Sequence, residues 1–160
     1  MDFRERLHRA AERGERAAAA QQAEQAAAAL SEEECKRRHS NYRLKLTEYI
    51  EQCLRQLGDN FPGFRWETIM DERGWGSAVR RDQMAIRDGR RDNLFSRLQL
   101  TVSPYSQYRV LEIVAKGAIR NKESFNRNHY QPIADFDEER FRELIEQWVL
   151  DYAEMYSAAR

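Results

Sequence analysis

Cysteine and histidine are scarce in this chain, and they do not gather. Its 160 residues hold two cysteines, Cys35 and Cys53, and three histidines, His8, His39 and His129. None stands beside a second ligand at a metal-binding spacing. No metal site is expected, and a Cys–His nucleophilic pair has no local support. On one helix the two cysteines would lie about 27 Å apart, whereas a disulfide needs Cα atoms within about 7 Å. Two thiols without a CxxC spacing suit a reducing compartment, so a cytoplasmic location is expected. Long apolar runs are missing too, since no stretch approaches the roughly 18 residues of a membrane helix. The N-terminus is rich in Arg and Ala like a transit peptide, but Asp2, Glu5, Glu12 and Glu15 argue against that reading. Glycines 74, 76, 89 and 117 follow no phosphate-loop spacing and read as turn or bulge positions. No cofactor and no catalytic residue is indicated.

Net charge is also lacking: 27 Lys+Arg balance 27 Asp+Glu. The balance fails locally. Residues 61–130 hold 13 basic and 8 acidic residues, and residues 131–160 hold 3 and 8. A basic middle beside an acidic end means either a basic surface for a partner or two segments that neutralise each other after folding.

The chain is long enough for one domain with its own core. Residues 1–29 contain eleven Ala, one Gly and no Pro, with favourable i,i+4 pairs such as Glu5–Arg9 and Glu12–Arg16. This predicts a helical extension whose apolar side is too thin for a regular coiled-coil seam. Leu30–Ser31–Glu32–Glu33–Glu34–Cys35 has the form of a capping box with a staple, so a new helix is expected from residue 32. The domain boundaries that follow are 1–30 for the extension and 31–160 for a single α+β domain. Tyr42, Leu46, Tyr49, Ile50, Cys53 and Leu57 give that second helix a core-facing stripe, and Gly58 suggests its end.

Beyond Pro62 the period becomes two. Residues 64–70, 78–87, 94–102 and 108–119 read as strands. Arg73–Gly74–Trp75–Gly76–Ser77 reads as a glycine-flanked turn, Asp88–Gly89 as the opening of a loop through Asn93, and Ser103–Ser106 as a turn. Residues 120–134 have no clear assignment. Asp135 or Asp137 then caps a last helix. With Asp137 as the cap, Phe136 and Phe141 form a staple. Phe141, Leu144, Ile145, Trp148, Val149, Tyr152 and Tyr156 make a broad apolar stripe. The expected architecture is an extension, then helix, four-stranded antiparallel meander and helix, with both helices on one sheet face. The other face is left to solvent or a partner.

That open face directs the functional reading. The sheet segment carries many arginines with aromatics among them, and tryptophan and arginine dominate binding hot spots. The candidate partner-binding residues are Trp75, Arg73, Arg80, Arg81, Arg97 and Tyr105, with Trp75 placed at a hairpin tip. The expected function is a non-catalytic protein-interaction or adaptor module using the open sheet face and hairpin tip. A protein partner is expected, and a homodimer is compatible with the same surface. A nucleic-acid-binding accessory protein is the first alternative, because arginines and aromatics on a sheet suit single strands. A neutral chain with pI ≈ 6.9 counts against it. The second alternative is a small enzyme or ligand-binding domain with a pocket between sheet and helices. Glu67, Asp71 and Glu72 near one strand end, with Glu112 and Lys116 on another strand, are its acids and base, although their spacing departs from that of a metal-dependent nuclease.

Overall fold

A computed structural model describes residues 2–159, with the side chains of 26–30 outside the description. The element order is α1 (Phe3–Asn60), β1 (Arg65–Asp71), β2 (Gly74–Arg87), β3 (Arg90–Val102), β4 (Val110–Ile119), β5 (Lys122–Pro132), a short 3-10 turn (Ile133–Asp135) and α2 (Glu138–Ala158). This is an α+β chain with an antiparallel sheet in the order β1-β2-β3-β4-β5, a meander. The chain forms two compact units, residues 1–37 and residues 38–160.

Three sequence expectations are corrected. The first is the helix start at residue 32, because α1 runs unbroken from Phe3 to Asn60. A capping box starts a helix only where the preceding residues leave helical geometry, and the alanines before Ser31 have no reason to leave it. The actual cap is Asp2, whose Oδ1 accepts from Glu5 N at 2.8 Å. The Leu30 side chain lies outside the described residues. Gly58 does not end the helix either; α1 continues two residues further, to Asn60, before Pro62.

The second correction is the strand count, which is five rather than four. The unassigned residues 120–134 contain β5. It is joined to β4 by a tight turn at Arg120 and Asn121, both with positive φ (50° and 69°). Asparagine tolerates that conformation. Asn121 also has a further role: its Oδ1 accepts from Phe95 N at 2.8 Å and its Nδ2 donates to Asn93 O at 2.9 Å. One side chain thus continues the β3 ladder past the last β4 partner.

The third correction concerns the turns. Asp88 and Gly89, with φ of 50° and 74°, form a two-residue hairpin turn, and β3 resumes at once with Arg90 opposite Arg87. This is the primed turn that Asp-Gly favours. Likewise Trp75 is not at a tip. The turn is Glu72–Arg73, closed by Asp71 Oδ1 accepting from Arg73 N (2.8 Å) and Gly74 N (3.2 Å). Trp75 lies inside β2, between Met70 and Val102.

Within residues 38–160 the core lies on one sheet face. Val79, Leu98, Leu100, Val102, Leu111, Ile113 and Phe125 are buried, as are Leu46, Ile50, Leu54 and Leu57 of α1 and Phe141, Ile145, Trp148 and Tyr152 of α2. Asp137 caps α2 by accepting from Arg140 N at 3.2 Å, and Phe136 and Phe141 lie 5.2 Å apart, as the staple requires. Phe136 also stacks on Tyr42 at 3.9 Å, which ties the start of α2 to α1.

Candidate binding surfaces

Side chains alternate across a strand, so neighbouring arginines face opposite ways. The candidate residues are therefore split. Arg80 and Arg97 are directly opposite each other on the face that neither helix reaches, and Arg65 completes the row on β1. Like charges directly opposite are destabilising. Two of the three are compensated: Arg80 donates to Asp82 Oδ1 at 3.2 Å and Arg97 to Glu67 Oε1 at 3.1 Å. The Arg80 guanidinium, with help from the Asn93 amide, holds the Asp82 carboxyl below the usual carboxylate range. Exposed surface pairs of this kind contribute little stability.

Arg81 faces the helices and donates to the Tyr156 hydroxyl at 2.6 Å. Trp75 shares that side. The Arg43 guanidinium of α1 stands 3.5 Å from the centre of its ring, and 37% of the residue stays exposed. Arg55 covers Trp66 of β1 in the same way at 4.0 Å. Trp75 thus closes the edge of the core and keeps one accessible side. Arg73 is exposed in the β1–β2 turn. Tyr105, in the β3–β4 connection, is drawn inward and meets the His39 ring edge-on at 5.6 Å.

The sequence did not point to the β2–β3 arm as a surface. Past Arg80 and Arg97 this hairpin has no further strand beside it, because β1 pairing ends at Arg80 and β4 pairing at Arg97. It continues for seven more residue pairs, to Arg87 opposite Arg90. On the helix-free face it shows Met84, 64% exposed, and Ile86, 79% exposed, opposite Asn93 and Arg91. Met84 and Ile86 are two residues apart on one strand, so they lie side by side on that face.

The acids of the enzymatic alternative are dispersed. Glu67 pairs with Arg97, Asp71 closes the first turn, and Glu112 accepts from Ser103 Oγ at 2.7 Å. No group of three or more His, Cys, Asp or Glu is placed to hold a metal among the described residues. No helix of the described residues is long and apolar enough to cross a membrane.

Among the described residues, the 38–160 unit has two concavities of note. One, of about 690 Å³, lies between α1 and α2 and is lined by Cys53, Leu57, Phe61, Val149 and Leu150 among others. The Tyr49 hydroxyl donates to Glu146 at one side of it. Burial pushes the Cys53 thiol up, away from a reactive thiolate. The other, of about 550 Å³, contains Arg81. No known protein family matches the chain, and no curated protein or solved structure shows a significant similarity to it.

Proposed function

We propose that this chain is a non-catalytic interaction module whose helix-free sheet face, continued onto the β2–β3 arm, takes a protein partner with acidic and apolar side chains. The observation that carries this reading is a basic row and an exposed apolar pair on one face. Arg65, Arg80 and Arg97 stand in register, Arg80 and Arg97 with acids beside them, and Met84 and Ile86 adjoin the row on the arm with Arg91 opposite Ile86. A partner with carboxylates near Arg65 and Arg91 and apolar groups over Met84 and Ile86 fits that pattern.

A photo-cross-linker in place of Ile86 tests it, with the exposed Gln147 of α2 as the control position. A discrete protein adduct from position 86 is expected, absent from position 147 and lost when Arg80→Ala and Arg97→Ala are added. Adducts to nucleic acid alone, or the same adducts from both positions, would refute the proposal. A titration of fluorescent single-stranded DNA and RNA at two salt concentrations separates the remaining alternative. Six or more phosphate contacts would weaken binding roughly a thousandfold between 50 and 200 mM salt, and the proposal predicts no such binding at physiological salt.

A further inference from the structure

Arg81 meets no carboxylate among the described residues. It is half-buried on the helix side of β2, and the one hydrogen bond of its guanidinium among the described residues goes to the Tyr156 hydroxyl, at 2.6 Å. Its place is built by several elements. Gly63, at φ 104°, turns the chain after α1 and lies so close that a Cβ there would stand 2.9 Å from Arg81 Nε. Any side chain at 63 would displace the guanidinium. Phe61 and Phe64 meet the Tyr156 ring edge-on at 5.3 and 5.1 Å and fix the hydroxyl that holds Arg81. On the other side stands Arg120, in the β4–β5 turn, whose backbone N–H is held by Ser96 Oγ at 3.1 Å.

Between the two arginines lies the cavity of about 550 Å³, whose lining also includes Asn60, Gln83, Ser157 and the rings of Phe61 and Tyr156. No Asp or Glu lines it among the described residues, and neither Arg81 nor Arg120 has an ion-pair partner there. Arg80, Arg97 and Arg127, by contrast, find acids. A guanidinium presents five N–H donors in a planar fork that matches carboxylate and phosphate oxygens. Here most of that fork is unused and partly removed from water, which raises the value of an anionic acceptor. Two amides and a hydroxyl offer further hydrogen bonds, and two aromatic rings offer an apolar wall.

We infer that this cavity binds a small organic anion, with a phosphate or carboxylate between Arg81 and Arg120 and a flat apolar body against Phe61 and Tyr156. It lies on the helix side of the sheet, so it stands or falls apart from the protein-binding face.

Phenyl phosphate, benzoate and inorganic phosphate, each titrated into the full chain by calorimetry, test the inference. Saturable binding of phenyl phosphate or benzoate is expected, and whichever binds more tightly identifies the anionic group. Inorganic phosphate should bind more weakly, for want of the apolar body. Arg120→Gln removes one charged arm from an exposed turn and should weaken binding roughly tenfold or more. Arg81→Gln should do at least as much, with its fold checked by circular dichroism. Arg91→Gln, on the arm, should leave binding unchanged. The inference is overturned if neither organic probe saturates by about 10 mM, if Arg120→Gln binds like the parent, or if Arg91→Gln loses as much as Arg120→Gln.

Discussion

Replacing Tyr152 by Phe and by Ala separates a hydrogen bond from a ring at one buried position. Tyr152 has no exposed surface. Its hydroxyl donates to Ala118 O at 2.8 Å, at the point where the β4–β5 register shifts. Its ring meets Phe125 edge-on at 6.0 Å and covers Gly117, where a Cβ would come within 3.1 Å of it. Tyr152→Phe keeps the ring and leaves a buried carbonyl unpaired, at a cost of about 1–2 kcal/mol. Tyr152→Ala also removes the ring and opens a cavity between α2 and the sheet, at a cost of about 3–5 kcal/mol. For a domain of this size each kcal/mol lowers Tm by about 2–4 °C. Urea unfolding followed by tryptophan fluorescence reads both, with an unchanged m value showing that the unfolded state is the same. A Phe variant within about 0.3 kcal/mol of the parent would show that the Ala118 carbonyl has another partner. An Ala variant no worse than Phe would show that the α2 stripe is not core, and the packing argument would fail.

Three further outcomes are expected. His39 is buried, with Nε2 at 3.1 Å from Ser103 O, and burial together with the nearby Arg43 lowers its pKa. The unfolded chain therefore takes up the proton first as pH falls below about 6.5, so stability present above that pH is lost toward the folded pKa. His129 is lowered too, by burial and Arg140, so urea midpoints at pH 7.5, 6.5 and 5.5 should fall in the parent and fall less in His39→Gln; equal slopes would refute the assignment. Asn121→Ala should cost about 2–3 kcal/mol, from two lost hydrogen bonds and the strain of a positive φ, while Asn121→Gly should recover the strain alone; a denaturation series that ranks Gly below Ala would contradict this. Every described side chain from 2 to 25 is exposed, so removing residues 1–30 should move Tm by less than about 3 °C in a calorimetric scan.

The elements that were legible in the sequence are those whose signals are local. Asp137, the flanking Phe136 and Phe141, and the stripe to Tyr156 are contiguous, and the structure uses each as its pattern suggests. The alternation of β3 from Leu94 to Val102 is visible because one side is buried throughout. On the arm that signal does not exist. Residues 83–93 are exposed or half-exposed on both faces, so no hydrophobic period marks the strands, and Arg90–Asn93 read as loop. The β4–β5 turn contains no glycine, and the Asn121 bonds that stabilise it reach back 26 and 28 residues. Gly74 and Gly76 were misread in the opposite sense. A Cβ on Gly76 would fall 2.0 Å from Leu100 O, so this glycine allows a close strand approach and makes no turn. The candidate site was legible only as a list. Strand parity sends Arg80 and Arg81 to opposite faces, but which face the helices cover is decided by packing far away in sequence.

The same parity decides what the basic middle of the chain can be. A nucleic-acid surface needs its cations to converge, since each phosphate contact adds to one electrostatic footprint. Here they diverge. Arg80 and Arg97 sit on the helix-free face with acids already beside them, Arg127 reaches Asp151 of α2 at 3.7 Å, and Arg81 turns inward to Tyr156. Among the described residues, the last of these has no acid beside it. Neutralisation by the acidic C-terminal segment therefore accounts for little of the surplus directly, since one of these four arginines reaches α2 by an ion pair. Short local pairs within the sheet account for more. Among the rest, two groups differ in geometry: the exposed arm tip with Arg87, Arg90 and Arg91, and the half-buried Arg81 with the exposed Arg120 across a cavity. An exposed cluster with apolar neighbours suits a macromolecular surface, and a pair lining one cavity suits a small anion. The two call for different ligands, and the variants Arg91→Gln and Arg120→Gln address them one at a time.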